Sequence, residues 1–247
     1  MTMTNTEVRI LPSKDEVARQ GAEEFLGAAD EAIDANGAFS VALAGGSTPL
    51  GMYKLLAADP YVSRIPWERV LFFWGDERCV PPDHPDSNYG AAWDAFLSKL
   101  PLPGGNVHRM RGEIDPEAAA REYELLLDHH ISGEPPRIDL ILLGMGDDGH
   151  TASLFPHTAA LDANERLVAP NYVPKLDSWR ITFTETLLNE AHRVIFLVTG
   201  EGKAQALRAV LEGEPDSDTY PSQLVRPRNG HLLFLLDEPA ASLLSNK

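Results

Sequence analysis

The sequence predicts an α/β protein of three-layer, Rossmann-like form, with a largely parallel central sheet and helices on both faces. Two observations predict it. Five short runs are apolar on consecutive residues rather than on alternate ones: FSVAL (39–43), VLFFW (70–74), IDLILLG (138–144), RVIFLV (193–198) and HLLFLL (231–236). Strands of that kind present apolar side chains to both faces, which requires a sheet covered on both sides. Between the runs lie stretches of helical periodicity, and a β-then-α alternation is the pattern of parallel strands joined by helical crossovers.

Taken in order, the elements have readable ends. Ser13-Lys14-Asp15-Glu16 is a capping box, opening a helix that should stop near Asn36-Gly37. FSVAL runs into Ala44-Gly45-Gly46-Ser47-Thr48-Pro49 and then the helical LGMYKLLAA. The two glycines allow a tight turn, Thr48 is placed to cap the helix, and Pro49 suits its first position. VLFFW is followed by Gly75-Asp76-Glu77-Arg78 and the proline-rich VPPDHPDSN (80–88). That stretch and PLPGGN (101–106) are short enough to be loops rather than domain boundaries, and 80–88 is the candidate to close over a ligand. Asp115-Pro116 supplies a cap and a first-turn proline to EAAAREYELLLDHHI. Neither a repeat nor a long linker interrupts the pattern, so 1–247 is read as one domain.

In an open parallel sheet, ligands bind beyond the carboxyl ends of the strands, which singles out the residues directly after each apolar run. The Gly45, Gly46, Ser47, Thr48 turn leaves free N–H groups at a helix start, an arrangement that suits phosphate. It serves equally well as a plain strand-to-helix turn, being neither the Walker sequence nor GxGxxG. After the second run, Arg78 can grip phosphate or stabilise an oxyanion, and Asp76 can hold sugar hydroxyls or take a proton. The alternative is an Asp76–Arg78 surface pair of small energetic weight. Cys79 has no base partner that would make it a nucleophile.

After IDLILL comes Gly144-Met145-Gly146-Asp147-Asp148-Gly149-His150-Thr151, a glycine-rich turn that gathers two carboxylates and a histidine. A carboxylate such as Asp148 fixes the tautomer of His150 and supports its cationic form, a combination suited to activating water. A structural cap and a metal ligand are the other readings of His150. No HExxH or similar spacing accompanies it, so no metal is expected. Arg180 heads RITFT, and Lys203 precedes a helix whose dipole it opposes, which marks an anion nearby. His129, His130 and His192 are read as structural or exposed, in helical patterns.

Composition narrows the classes. Of 247 residues, 21 are Lys or Arg and 37 Asp or Glu, a net charge of −16, and 43% are hydrophobic. Such an acidic chain without basic clusters is not expected to bind nucleic acid. A single cysteine removes a disulfide framework. No apolar run approaches the ~18 residues of a membrane span, and MTMTNTEVRI lacks the layout of a secretion signal, so a cytoplasmic protein without a membrane partner is expected.

Together these segments resemble the 6-phosphogluconolactonase family, within the sugar-phosphate group that includes glucosamine-6-phosphate deaminase. The resemblance runs through AGGSTP, WGDERCVPPDHPDSNYG, LLGMGDDGHTASLFP, RITFT with LLNEA, FLVTGEGKAQAL and PSQLVRP, nearly the whole chain. DGHTASLFP is its most specific piece, since the deaminase branch continues differently after DGH. Glu185-Thr186, in place of a more apolar pair with proline, and Phe234, where tryptophan is common, depart from the pattern without touching a candidate catalytic residue. The resemblance implies hydrolysis of 6-phospho-D-glucono-1,5-lactone to 6-phosphogluconate, with neither metal nor organic cofactor. It makes His150 the general base, Asp148 its orienting partner and Arg78 the stabiliser of developing negative charge. Asp76 then holds sugar hydroxyls, and Gly45 to Thr48, Arg180 and Lys203 bind the 6-phosphate. A phosphosugar lactone is the only partner expected, and a monomer the working expectation. The rivals are a deaminase or aldose–ketose isomerase on the same fold and a non-catalytic sugar-phosphate sensor.

Overall fold

The computed structural model describes residues 5–245, so Met1–Thr4, on which part of the leader reading rests, and the last two residues lie outside it. From the amino end run β1 (Asn5–Leu11), α1 (Lys14–Asn36), β2 (Phe39–Leu43), α2 (Ser47–Leu56), β3 (Val70–Trp74), β4 (Asp76–Arg78), α3 (Asn88–Ala95) and α4 (Pro116–His130). Then follow β5 (Leu140–Leu143), β6 (Val168–Val173), β7 (Ser178–Phe183), α5 (Glu185–Leu188), β8 (Arg193–Val198), α6 (Ala204–Glu212) and β9 (His231–Asp237). Six strands form one sheet in the order β1-β9-β8-β5-β2-β3, and every pairing in it is parallel. The fold class read from the apolar runs is therefore correct.

The capping predictions for α1 and α4 also hold at atomic detail. Ser13 accepts from the Glu16 amide, α1 ends where Gly37 adopts φ +81°, and Asp115 accepts from the Ala118 amide at 2.9 Å. The consecutive apolar pattern has a direct cause in packing. Val41, Leu43, Phe72, Trp74, Leu140 and Leu142 face one buried layer; Ala42, Phe73, Ile141 and Leu143 face the other. Each strand thus supplies two cores at once, and no position along it can be polar without a partner.

A second, antiparallel sheet, β4-β7-β6, was not foreseen. The chain leaves the parallel sheet at Gly75, whose amide donates to the Leu43 carbonyl at 3.0 Å and whose carbonyl accepts from the Phe183 amide at 2.8 Å. Asp76–Arg78 is thereby a short strand rather than loop. Two smaller readings are corrected. His192 stands in a bend directly before β8, not in a helix, while β1 supplies an edge strand where none was predicted.

The strand order sets the site. From β2 the chain moves outward to β3 and then returns to β5 on β2's other side, so the carboxyl ends of β2 and β5 flank a topological switch point.

Candidate active site

The turn after β2 approaches α3 so closely that a side chain is excluded. A Cβ on Gly45 would fall 1.9 Å from Asn88 Oδ1. Gly46, at φ +101°, is the residue before α2, which begins at Ser47. Thr48 and Pro49 therefore sit two positions deeper in the helix than predicted, and Thr48 is not the cap; its hydroxyl instead shares a 2.7 Å hydrogen bond with Thr199 from the turn after β8. The buried Tyr53 hydroxyl clamps the turn from below, donating to the Ala44 carbonyl at 2.9 Å and accepting from the Ala44 amide at 3.0 Å. Gly46 offers no side chain to the first amides of α2, which leaves them free for a ligand.

After β5 the turn brings Asp148 and His150 together as predicted. His150 Nδ1 lies 2.6 Å from Asp148 Oδ1, which also accepts the His150 amide at 3.2 Å. Two glycines make the turn feasible: a Cβ on Gly146 would meet His150 Nδ1 at 2.0 Å, and Gly149 adopts φ +77° against Tyr220. The imidazole stacks on Phe155, ring centroids 4.0 Å apart. Lys175, in the connection between β6 and β7, donates to the other Asp148 oxygen. Burial works to raise the Asp148 carboxyl, but hydrogen bonds from His150 and Lys175 outweigh it and hold the group well below the usual carboxylate range.

The charged cluster after β3 splits into different roles. Glu77 points inward, where its carboxylate accepts from the Arg78 and Asn88 amides, both at 2.7 Å, from the Tyr89 amide at 2.8 Å and from the Ser87 hydroxyl at 3.1 Å. Burial raises its pKa, with those three amides acting in the opposite direction. Glu77 thus ties down the end of loop 80–88 and the start of α3. Asp76 accepts from Ser153 Oγ at 2.6 Å and from Asn88 Nδ2 at 3.2 Å. Arg78 donates to the Asp86 carbonyl at 2.5 Å rather than pairing with Asp76. Arg180 lies opposite Arg78 in the β4–β7 register and donates to Ser178 Oγ and the Trp179 carbonyl; burial, then the Arg78 charge, lower its pKa. Burial likewise pushes the Cys79 thiol up to about 11, so it is no thiolate nucleophile at neutral pH.

These segments enclose a cleft of about 260 Å³ at the switch point. Gly45, Gly46, Ser47, Thr48, Asp76, Arg78, His150 and Lys203 all line it; Asp148 stands behind His150, and Arg180 is not part of the lining. Lys203 closes the 3₁₀ turn just ahead of α6. Asp237 anchors that turn by accepting from the Gly200 amide at 2.9 Å. Asn88, Ser153, Lys175 and Asp237 were missed by sequence reasoning. Asn88 carried a signal as the last residue of the loop already singled out, and Ser153 as part of DGHTASLFP; Lys175 and Asp237 carried none. Among the described residues no group of three or more His, Cys, Asp or Glu side chains could hold a metal ion. An aspartate-oriented imidazole, a guanidinium and a helix start with free amides, set around one small cleft, can activate water against an anionic substrate.

The family described as glucosamine-6-phosphate isomerases/6-phosphogluconolactonase matches residues 12–234. A 6-phosphogluconolactonase from Nostoc sp. is 42% identical over 242 residues, 96% of this chain and 98% of the relative. One from Synechocystis sp. is 44% identical over 218 residues, covering 87% and 88%. The solved structure of 6-phosphogluconolactonase from Trypanosoma brucei superposes with a TM-score of 0.87 at 27% identity, covering 98% of this chain and all of that one.

Proposed function

This chain belongs to the glucosamine-6-phosphate isomerase/6-phosphogluconolactonase family, and on that premise we propose how its cleft works. The protein is a 6-phosphogluconolactonase, an ester hydrolase that opens 6-phospho-D-glucono-1,5-lactone to 6-phosphogluconate in the pentose phosphate pathway. The observation that carries the mechanism is the 2.6 Å contact between His150 Nδ1 and Asp148. An ionised carboxylate only accepts, so Nδ1 carries the proton, and in the uncharged ring Nε2 is left with the lone pair.

His150 Nε2 takes a proton from water as the water oxygen bonds to the lactone carbonyl carbon. Negative charge grows on the carbonyl oxygen, where Arg78 stabilises it. The tetrahedral centre then collapses, the bond from that carbon to the ring oxygen breaks, and the imidazolium returns its proton to the departing oxygen. Asp76 holds sugar hydroxyls. The free amides of the Gly45 to Thr48 turn and the Lys203 ammonium bind the 6-phosphate, with Arg180 adding positive charge behind Arg78. The reading carries with it one domain over 1–247, working as a monomer in the cytoplasm; no helix among the described residues is long and apolar enough to cross a membrane.

His150→Ala, assayed on freshly made lactone with spontaneous hydrolysis subtracted, is expected to lose most turnover while product binding persists. Near-normal turnover would sink the general-base role. Ammonia release from glucosamine 6-phosphate at a comparable rate would instead favour deaminase chemistry for this cleft.

A further inference from the structure

The connection between β6 and β7 folds back over the turn after β5, and Lys175 on it closes a cluster of four side chains. Its Nζ donates to Asp148 Oδ2, while His150 Nδ1 occupies Oδ1 of the same carboxylate. The ammonium also lies 5.2 Å from the centroid of Phe155, the ring on which His150 stacks. Asp148 is therefore divided between the imidazole and a cation that comes from 27 residues away, in the connection between two strands of the second sheet.

We propose that Lys175 is a positioning residue for the hydrolysis: it holds Asp148 in the orientation that directs His150 and offsets part of the carboxylate charge that the imidazole meets. The proposal rests on the reading of His150 as general base. A carboxylate stabilises a cationic partner, and only an uncharged imidazole can take a proton from water. An ammonium on the far oxygen opposes that preference without displacing the hydrogen bond. The other charges around His150 are Asp147 on its own turn, Asp76 and Arg78 from β4, and Lys203 from the turn after β8. All of them stay in place when Lys175 alone is changed. Lys175 is half-exposed, so its influence is partly screened by salt and its replacement leaves the core untouched.

The test is kcat/KM against pH, between about 5.5 and 7.5, for the wild type, Lys175→Met and Lys175→Arg, with spontaneous lactone hydrolysis subtracted. In Lys175→Met the acid limb is expected to move up by about half a pH unit, roughly a threefold loss at its foot and a smaller loss on the plateau. Added salt should shrink the difference, and Lys175→Arg should restore the wild-type limb. An unmoved limb overturns the proposal, whether the rate is unchanged or falls equally at every pH, and so does Lys175→Arg behaving like Lys175→Met. His150→Ala with near-normal turnover fails the general-base reading instead, so the two failures are distinguishable.

Discussion

Replacing Asp148 with asparagine keeps the shape of the side chain and removes its charge. The two groups meet at 2.6 Å, and about a quarter of each side chain is exposed. Charge centres about 4 Å apart, in a surrounding with an effective dielectric near 20, attract by ~4 kcal/mol. Lys175 already claims part of the carboxylate charge, and solvent screens some of the remainder, which leaves ~2–3 kcal/mol for the imidazolium that forms as water is deprotonated. That corresponds to a fall in kcat of roughly 30- to 150-fold. Because the protonated ring loses its partner, the acid limb should also move to lower pH, the reverse of the shift expected for Lys175→Met. KM should hardly change, since Asp148 does not line the cleft. Steady-state rates across the pH range, on fresh lactone, read all three quantities. A kcat within threefold of wild type, or a limb that moves upward, would refute the claim that Asp148 acts through His150.

Two further predictions concern stability. Glu77→Gln sets an amide group against donors from Arg78, Ser87, Asn88 and Tyr89, so two of them lose their acceptor; a cost of about 2–4 kcal/mol and a Tm lowered by roughly 5–15 °C are expected, and a melt within 2 °C of wild type would count against it. His108 is buried against Phe73 and beside His130, with its Nε2 unpartnered, and burial, then the His130 and His129 charges, lower its pKa from 6.5 to about 4. A base depressed in the folded state binds its proton only in the unfolded chain within that window, so stability should fall as pH drops from about 6.5 to about 4, by ~2–3 kcal/mol. His108→Phe keeps the stack on Phe73 and should flatten the slope in denaturant titrations; a parallel decline in both proteins would exclude His108 as its source.

How much of this was legible depends on how far apart the interacting residues lie in the chain. The parallel strands announce themselves because both faces of each must be apolar, and α1 and α4 because Ser13 and Asp115 act on amides three positions away. His150 and Asp148 are two residues apart, so their pairing is readable too. The second sheet obeys a different rule. In β6 the buried Asn171 looks out of place in a strand until its amide is seen donating to the Ser153 carbonyl at 2.8 Å and to Thr158 Oγ1 at 2.9 Å. Polarity there is satisfied by partners 13 and 18 residues distant, which no local pattern shows. Glu77 escapes a local reading for the same reason: besides the adjacent Arg78 amide, its buried carboxylate accepts from three donors ten or more residues on.

The second sheet also explains why the charged cluster after β3 holds a fixed geometry. Had the chain ended its extended course at Trp74, Asp76 and Arg78 would sit on a loop free to turn to solvent. Instead β4 pairs with β7, which sets Asp76 opposite Thr182 and Arg78 opposite Arg180. The Thr182 hydroxyl in turn accepts the Ser153 amide at 3.1 Å, and the Ser153 hydroxyl donates to Asp76. The same β7 continues from the connection that carries Lys175 to Asp148. His150 and the helix start that suits phosphate therefore follow strands of the parallel sheet, while β4 carries Arg78 and the connection between β6 and β7 carries the lysine on Asp148. The reacting geometry depends on how these two sheets are joined, through the backbone of Gly75 and the side chains of Ser153 and Lys175. Two like charges, Arg78 and Arg180, facing each other across β4 and β7 cost stability. On the binding mode proposed above, an anionic substrate held at Arg78 relieves that repulsion, so part of the cost returns as affinity.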